Sequence, residues 1–161
     1  MFRKIIRSLI FGFHGCLIIL LSSYAYRNDE LIHQLAERTQ LKLNTFHNPE
    51  AEFLKIKKCE LLLSDEGFLR YRRTYINGKQ EYYSFNLTRV RSIDYLGDIL
   101  SGELSIQTQE DDVIVQTYND RGGDVDSMAT HFRLPLHNID PKDLAALHDD
   151  LFEMKRLLTR N

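Results

Sequence analysis

The chain holds 161 residues, 43% hydrophobic, 11% aromatic and 27% charged, with a formal net charge of −2. Those proportions suit one globular domain and exclude a disordered tail, a collagen-like repeat and a polytopic membrane protein. No internal repeat or low-complexity tract interrupts it, and three prolines leave no linker.

The bulk figures average two unlike parts. Residues 1–25 carry Arg3, Lys4 and Arg7 and no acid, followed by an apolar stretch and the small-residue site Ser23-Tyr24-Ala25. That order is the pattern of a secretory signal peptide. An uncleaved anchor is the rival reading. The apolar run from Leu9 to Leu21 covers roughly 20 Å as helix, short of the ~30 Å hydrocarbon core, although extension to Tyr26 makes a span with its basic end inside the cell. Both readings place the remaining domain outside the cytoplasm, in the periplasm or cell envelope, with membrane association through residues 5–26 in the second. Cys16 follows Phe13-His14-Gly15. A lipoprotein signal is disfavoured there by His14, where a small residue is usual, and by the further apolar chain behind the cysteine.

Cleavage after Ala25 leaves residues 26–161, a single domain with 18 basic and 23 acidic residues, a formal charge of −5 and Cys59 as its one cysteine. An internal disulfide is then excluded, so the core must hold the fold. Beside Leu61-Leu62-Leu63, Cys59 reads as a small buried residue.

A helix is predicted over 28–43, with Asn28 and Asp29 as caps and Leu31, Ile32, Leu35 and Ala36 at helical spacing, ending before Asn48-Pro49. From about residue 53 the period becomes two, and a sheet is predicted over 53–136. Residues 57–85 read as three strands. Ser64-Asp65-Glu66-Gly67 forms the first turn and Asn77-Gly78 the second, the latter as a two-residue type I′ turn. That loop sets Ile76 opposite Lys79, Thr74 opposite Glu81, Arg73 opposite Tyr82 and Arg72 opposite Tyr83. Further strands follow at 88–96, 102–109, 112–120 and 128–136. Glu110-Asp111 makes a hairpin turn, the 121–124 segment opens a longer loop, and Pro135 argues for an edge or a strand end.

A second helix is predicted over 140–159. Asp140 caps it, Pro141 takes its first position, and Leu144, Leu147, Leu151, Met154 and Leu158 form its apolar stripe. The expected fold is α+β: about seven antiparallel strands forming a roll or partly open barrel, with a helix before and a capping helix after. Seven strands capped by a C-terminal helix, over roughly residues 53–160, resemble the pleckstrin-homology-like roll in element order. The resemblance implies a binding module, since such rolls mostly bind lipid headgroups or peptides. Lys57, Lys58, Arg70 and Arg72 answer to the basic residues that lipid-binding members carry around the first hairpin.

Chemistry-bearing motifs are sparse. The chain has no phosphate-cradling glycine loop, no nucleophile elbow, no S-x-x-K pair and no H-E-x-x-H. The expectation is therefore a non-enzymatic protein without cofactor. His131 and His137 lie ~20 Å apart on a continuous strand, too far to share a zinc. Asn119, Asp120, Asp124 and Asp126 gather oxygen ligands around Gly122-Gly123 and form a weak candidate calcium loop. Asn86-Leu87-Thr88 is a glycosylation sequon.

The Asn77-Gly78 hairpin carries the most information. Arg70, Arg72, Arg73, Arg89 and Arg91 interleave with Tyr71, Tyr75, Tyr82 and Tyr83, residue types that dominate protein interfaces and also stack across strands. Alternation sends Arg72 and Arg73 to opposite faces. Candidate binding residues are Arg70, Arg72, Arg73, Tyr75, Tyr82 and Tyr83. The expected partner is another protein, with an inhibitor or immunity-type role as one version. The alternative is an anionic lipid, a sugar or Ca²⁺. A charge of −5 is the wrong sign for nucleic acid.

Overall fold

A computed structural model of the chain describes residues 28–51 and 55–160. The predicted signal or anchor segment, with Cys16, lies outside the described residues. Helix α1 occupies residues 28–46, past the 43 expected, and stops ahead of Pro49. Its buried positions Ile32, Leu35, Ala36, Thr39 and Leu43 form one stripe.

Eight strands follow: β1 (Ile56–Leu63), β2 (Phe68–Tyr75), β3 (Gln80–Asn86), β4 (Val90–Gly97), β5 (Ser101–Thr108), β6 (Val113–Tyr118), β7 (Asp126–Ala129) and β8 (His131–His137). Helix α2 (Pro141–Arg160) closes the order. The Asp140 cap is as expected, its carboxylate accepting the Asp143 amide at 2.8 Å. No described helix is long and apolar enough to cross a membrane.

The strands form two antiparallel sheets, ordered β1-β2-β3-β6-β7 and β4-β5-β8. The α+β class is as expected, but the sheets do not close into a barrel. Two local readings of the sequence give way here. Glu110 and Asp111 do not turn a hairpin, because β5 and β6 belong to different sheets and the segment carries the chain between them. The expected strand at 128–136 is two strands, broken at Thr130, where the chain leaves the five-stranded sheet for the three-stranded one. The Thr130 carbonyl accepts from both the amide and the hydroxyl of Thr108, at 2.9 and 3.1 Å, so its acceptor stays paired at the break. Pro135 does sit on an edge strand, and its carbonyl accepts from the Asn48 amide at 2.9 Å.

The β2–β3 register is shifted by one from the expectation: Thr74 pairs with Gln80, Arg73 with Glu81, Arg72 with Tyr82 and Tyr71 with Tyr83. Tyr75 bonds through its amide to the Lys79 carbonyl, and Gly78 bonds through its amide to the Tyr75 carbonyl, so the loop has three residues, Ile76-Asn77-Gly78. Gly78 alone takes a positive φ, +89°. This is the three-residue loop that ends in a left-handed residue. Asn77 contributes its side-chain carbonyl to the Lys79 amide, at 3.1 Å, in place of a left-handed backbone. The β1–β2 loop repeats the design over Asp65-Glu66-Gly67, with Gly67 at φ +80°.

The inner faces of the two sheets meet through Phe132, whose ring lies 5.3 Å from Phe85 and 5.8 Å from both Tyr71 and Tyr83. Both helices add their stripes to this one core. Asp150, 7% exposed, ties them together through Arg38 at 2.6 Å and Lys42 at 2.7 Å. Helix α1 also reaches the edge of β1. The Gln40 amide donates to the Leu61 carbonyl at 2.9 Å and accepts from the Leu63 amide at 2.6 Å, as a neighbouring strand would.

Candidate functional site

Alternation along β2 divides the six predicted binding residues into two groups of three. Arg70, Arg72 and Tyr82 lie on the outer face of the five-stranded sheet, the face that carries the exposed Leu62, Phe68, Ile114 and Met128. Arg73, Tyr75 and Tyr83 lie on the inner face. Pairing runs one outer row across all five strands: Leu62, Arg70, Ser84, Ile114 and Met128. Leu62 and Met128 are about half exposed, at 50% and 53%. The next row holds Glu60, Arg72, Tyr82, Gln116 and Asp126.

Beside these rows a groove of about 810 Å³ runs along β1, lined by Asn44, Glu60, Leu62, Arg70, Arg72 and Tyr82 among others. The Arg72 guanidinium lies 5.4 Å from the Tyr82 ring and that of Arg70 lies 5.3 Å from Phe68, so both cations rest on aromatic faces with their charge in water. Glu60 receives Lys58 at 2.5 Å and lies 3.7 Å from Arg72, and the Lys58 contact holds its carboxyl below the usual range.

The inner group is a brace. Arg73 donates to Glu81 at 2.6 Å and to the Tyr83 hydroxyl at 3.1 Å, and its guanidinium lies 5.2 to 5.9 Å from the rings of Tyr71, Tyr75 and Tyr83. Glu81 also accepts from the Tyr75 hydroxyl at 2.9 Å and pairs with Lys79 at 3.0 Å, while Lys79 reaches Asp120 at 2.7 Å. Burial works against the Glu81 carboxylate. The Lys79 hydrogen bond, the Arg73 charge and the Tyr75 hydroxyl outweigh it and hold the carboxyl below its ordinary value. Burial raises the Tyr83 hydroxyl, with Arg73 opposing. A carboxylate engaged in this way is a structural acceptor, poorly placed to act as a general base.

At one end of the brace His47 meets the Tyr71 hydroxyl at 2.8 Å, and their rings stack edge to face at 5.2 Å. Burial, then the charges of Arg73 and His137, lower the imidazole to about 4, so His47 is neutral near pH 7. No sequence motif points to His47, and a two-residue loop sets Glu81 opposite Thr74. A three-residue loop would have found the Glu81 pair, whereas the His47 contact depends on long-range packing.

In the acidic loop the candidate oxygens are engaged within the protein. Asp120 turns one oxygen to the Gly122 amide at 3.0 Å and the other to Lys79. Asp124 accepts the Asp120 amide at 3.0 Å, and Asp126 lies on the outer face, 3.3 Å from Gln116. Asn119 takes φ +57°, a left-handed turn position. Among the described residues no three His, Cys, Asp or Glu side chains are gathered to hold a metal. Asn86 serves locally, accepting from the amide and hydroxyl of Thr88 and donating to the Glu66 carbonyl. Arg89 is drawn to Asp112 at 2.9 Å, which removes it from the hairpin surface.

No family model, no curated protein and no solved structure matches the chain.

Proposed function

We propose that this chain is an exported, non-enzymatic protein-binding domain that presents the outer face of its five-stranded sheet to a partner. The observation that carries the reading is the outer row from Leu62 to Met128, in which Leu62, Ile114 and Met128 are exposed around a buried Ser84, with Arg70 in the row and Arg72 and Tyr82 beside it. Aromatic and arginine anchors beside exposed aliphatic side chains have the composition of an interface core. Export rests on the pattern of residues 1–25, and the resemblance in element order that the sequence bears to pleckstrin-homology-like rolls favours binding over catalysis. An inhibitor or immunity-type role is the concrete version.

A second reading places an anionic lipid or sugar on the same face. It is favoured by Lys58, Arg70 and Arg72 standing together there on an otherwise acidic domain.

The test is capture from envelope extracts with the chain and its Leu62→Asp, Arg72→Ala and Tyr82→Ala variants. The expected result is one partner retained by the parent and lost by the variants, with thermal stability unchanged. Equal capture by all four, or no partner at all, sinks the protein-binding reading. Binding to vesicles of anionic lipid in place of a protein would select the second.

A further inference from the structure

On the opposite side from the outer face, a cleft of about 490 Å³ opens between the two sheets. Arg73 and Tyr83 reach it from the five-stranded sheet, and Glu103, His131 and Arg133 from the three-stranded one. The last three come from β5 and from those β8 positions whose side chains turn away from the core. Leu96 and Pro135 add apolar wall.

Two features single out this cleft. Its lining carries two arginines that come from different sheets, each facing one carboxylate, Arg73 at 2.6 Å from Glu81 and Arg133 at 3.5 Å from Glu103. Its two guanidiniums are also held in complementary ways. Arg73, 11% exposed, is fixed by Glu81 and the tyrosine rings, so it costs little further ordering to use. Arg133, 67% exposed, is paired among the described residues with Glu103 at 3.5 Å, a surface pair of small worth that leaves it able to turn toward a guest. Guanidinium groups that line one cleft from two sheets offer the donor forks that suit the planar or tetrahedral oxygens of an anion. The volume falls within the ~300–1,000 Å³ of small-molecule sites.

We propose that this inter-sheet cleft binds a small organic anion, its charged oxygens between Arg133 and Arg73 and its compact apolar body against Tyr83, Leu96 and Pro135. The site is separate from the outer face, and its success or failure is independent of a protein partner there.

The test is titration of the full chain with benzoate and with phenyl phosphate, with benzyl alcohol as the neutral control, followed by backbone amide shifts. Saturable shifts on β2, β5 and β8 are expected for at least one anion. Saturation by either anion supports the site and identifies its headgroup as carboxylate or phosphate. Arg133→Glu should weaken that anion by about tenfold or more, the loss of one charge-assisted hydrogen bond. Arg133→Gln should follow in the same direction in case charge reversal beside Glu103 disturbs β8. Arg72→Glu on the outer face should change the affinity by less than about twofold. The proposal is overturned if neither anion saturates at millimolar concentration, if benzyl alcohol binds as well as both, or if the Arg133 and Arg72 variants behave alike.

Discussion

Arg73 stands opposite Glu81 in the β2–β3 pairing, its Nη2 2.6 Å from Oε2, and it does so because the loop between the strands has three residues. A two-residue loop would have set Tyr82 there and moved every partner to the other face of the sheet. The left-handed backbone at Gly78 therefore decides which charges are buried together.

Replacing Gly78 reads that decision directly. A Cβ at this position meets nothing within 4 Å, so Gly78→Ala tests the backbone alone. The expected cost is about 1–2 kcal/mol, with Gly78→Asn losing less because asparagine tolerates the left-handed region. Urea denaturation should show a lower midpoint at unchanged slope.

The brace should behave as a coupled pair. Arg73→Met alone, leaving Glu81 half-partnered in a buried setting, is expected to cost about 3 kcal/mol. The Arg73→Met, Glu81→Met double variant should cost less than the two singles together, with a coupling of roughly 1–3 kcal/mol. The exposed pair Arg72 and Glu60, 3.7 Å apart, should couple by less than about 1 kcal/mol in the same denaturation cycle.

These predictions mark where the sequence was readable. Helix ends were legible because Asp140, Pro141 and Pro49 leave chemical marks, and strands were legible because inward residues alternate with outward ones. The same alternation separated Arg72 from Arg73. Register was not legible, since Asn77-Gly78 suits a two-residue loop and the end of a three-residue loop equally well. The division into two sheets was also hidden. A crossing at Glu110-Asp111 resembles a hairpin, and Thr130, where the chain changes sheets, is itself a strand-compatible residue. For the candidate surfaces, the concentration of arginine and tyrosine was visible, but the cleft arises only where the sheets meet.

Stability should decline as pH falls from 6.5 toward 4.5. The folded state holds His47 near 4, below its ordinary 6.5, so the unfolded chain takes up a proton that the folded one refuses. His33 has the opposite sign. Asp65 raises its pKa, so its contribution is complete below 6.5 and constant through this window. Glu81, lowered from 4.5, loses its contribution only at lower pH. Thermal melts across the window should slope for the parent chain and flatten in His47→Gln.

Asp150 joins α1 to α2 through Arg38 and Lys42, so Asp150→Ala should loosen α1 before the sheets. About 1–2 kcal/mol of global stability is the expected loss, since the cations left behind, Arg38 above all, reach solvent. Amide hydrogen exchange should accelerate over residues 28–46 more than in β2 and β3. Uniform acceleration across the molecule would show that the contact is not local to the helices.

Gln40 gives α1 a second office. An unguarded sheet edge is an invitation to any extended chain, including another copy of the same strand. Here one amide side chain, delivered from a helix, answers the Leu61 carbonyl and the Leu63 amide. A newcomer to that end of β1 would first have to lift the helix, and with it the Arg38 and Lys42 links to Asp150. Helix α1 thus works as a lock on strand exchange as well as a piece of the core.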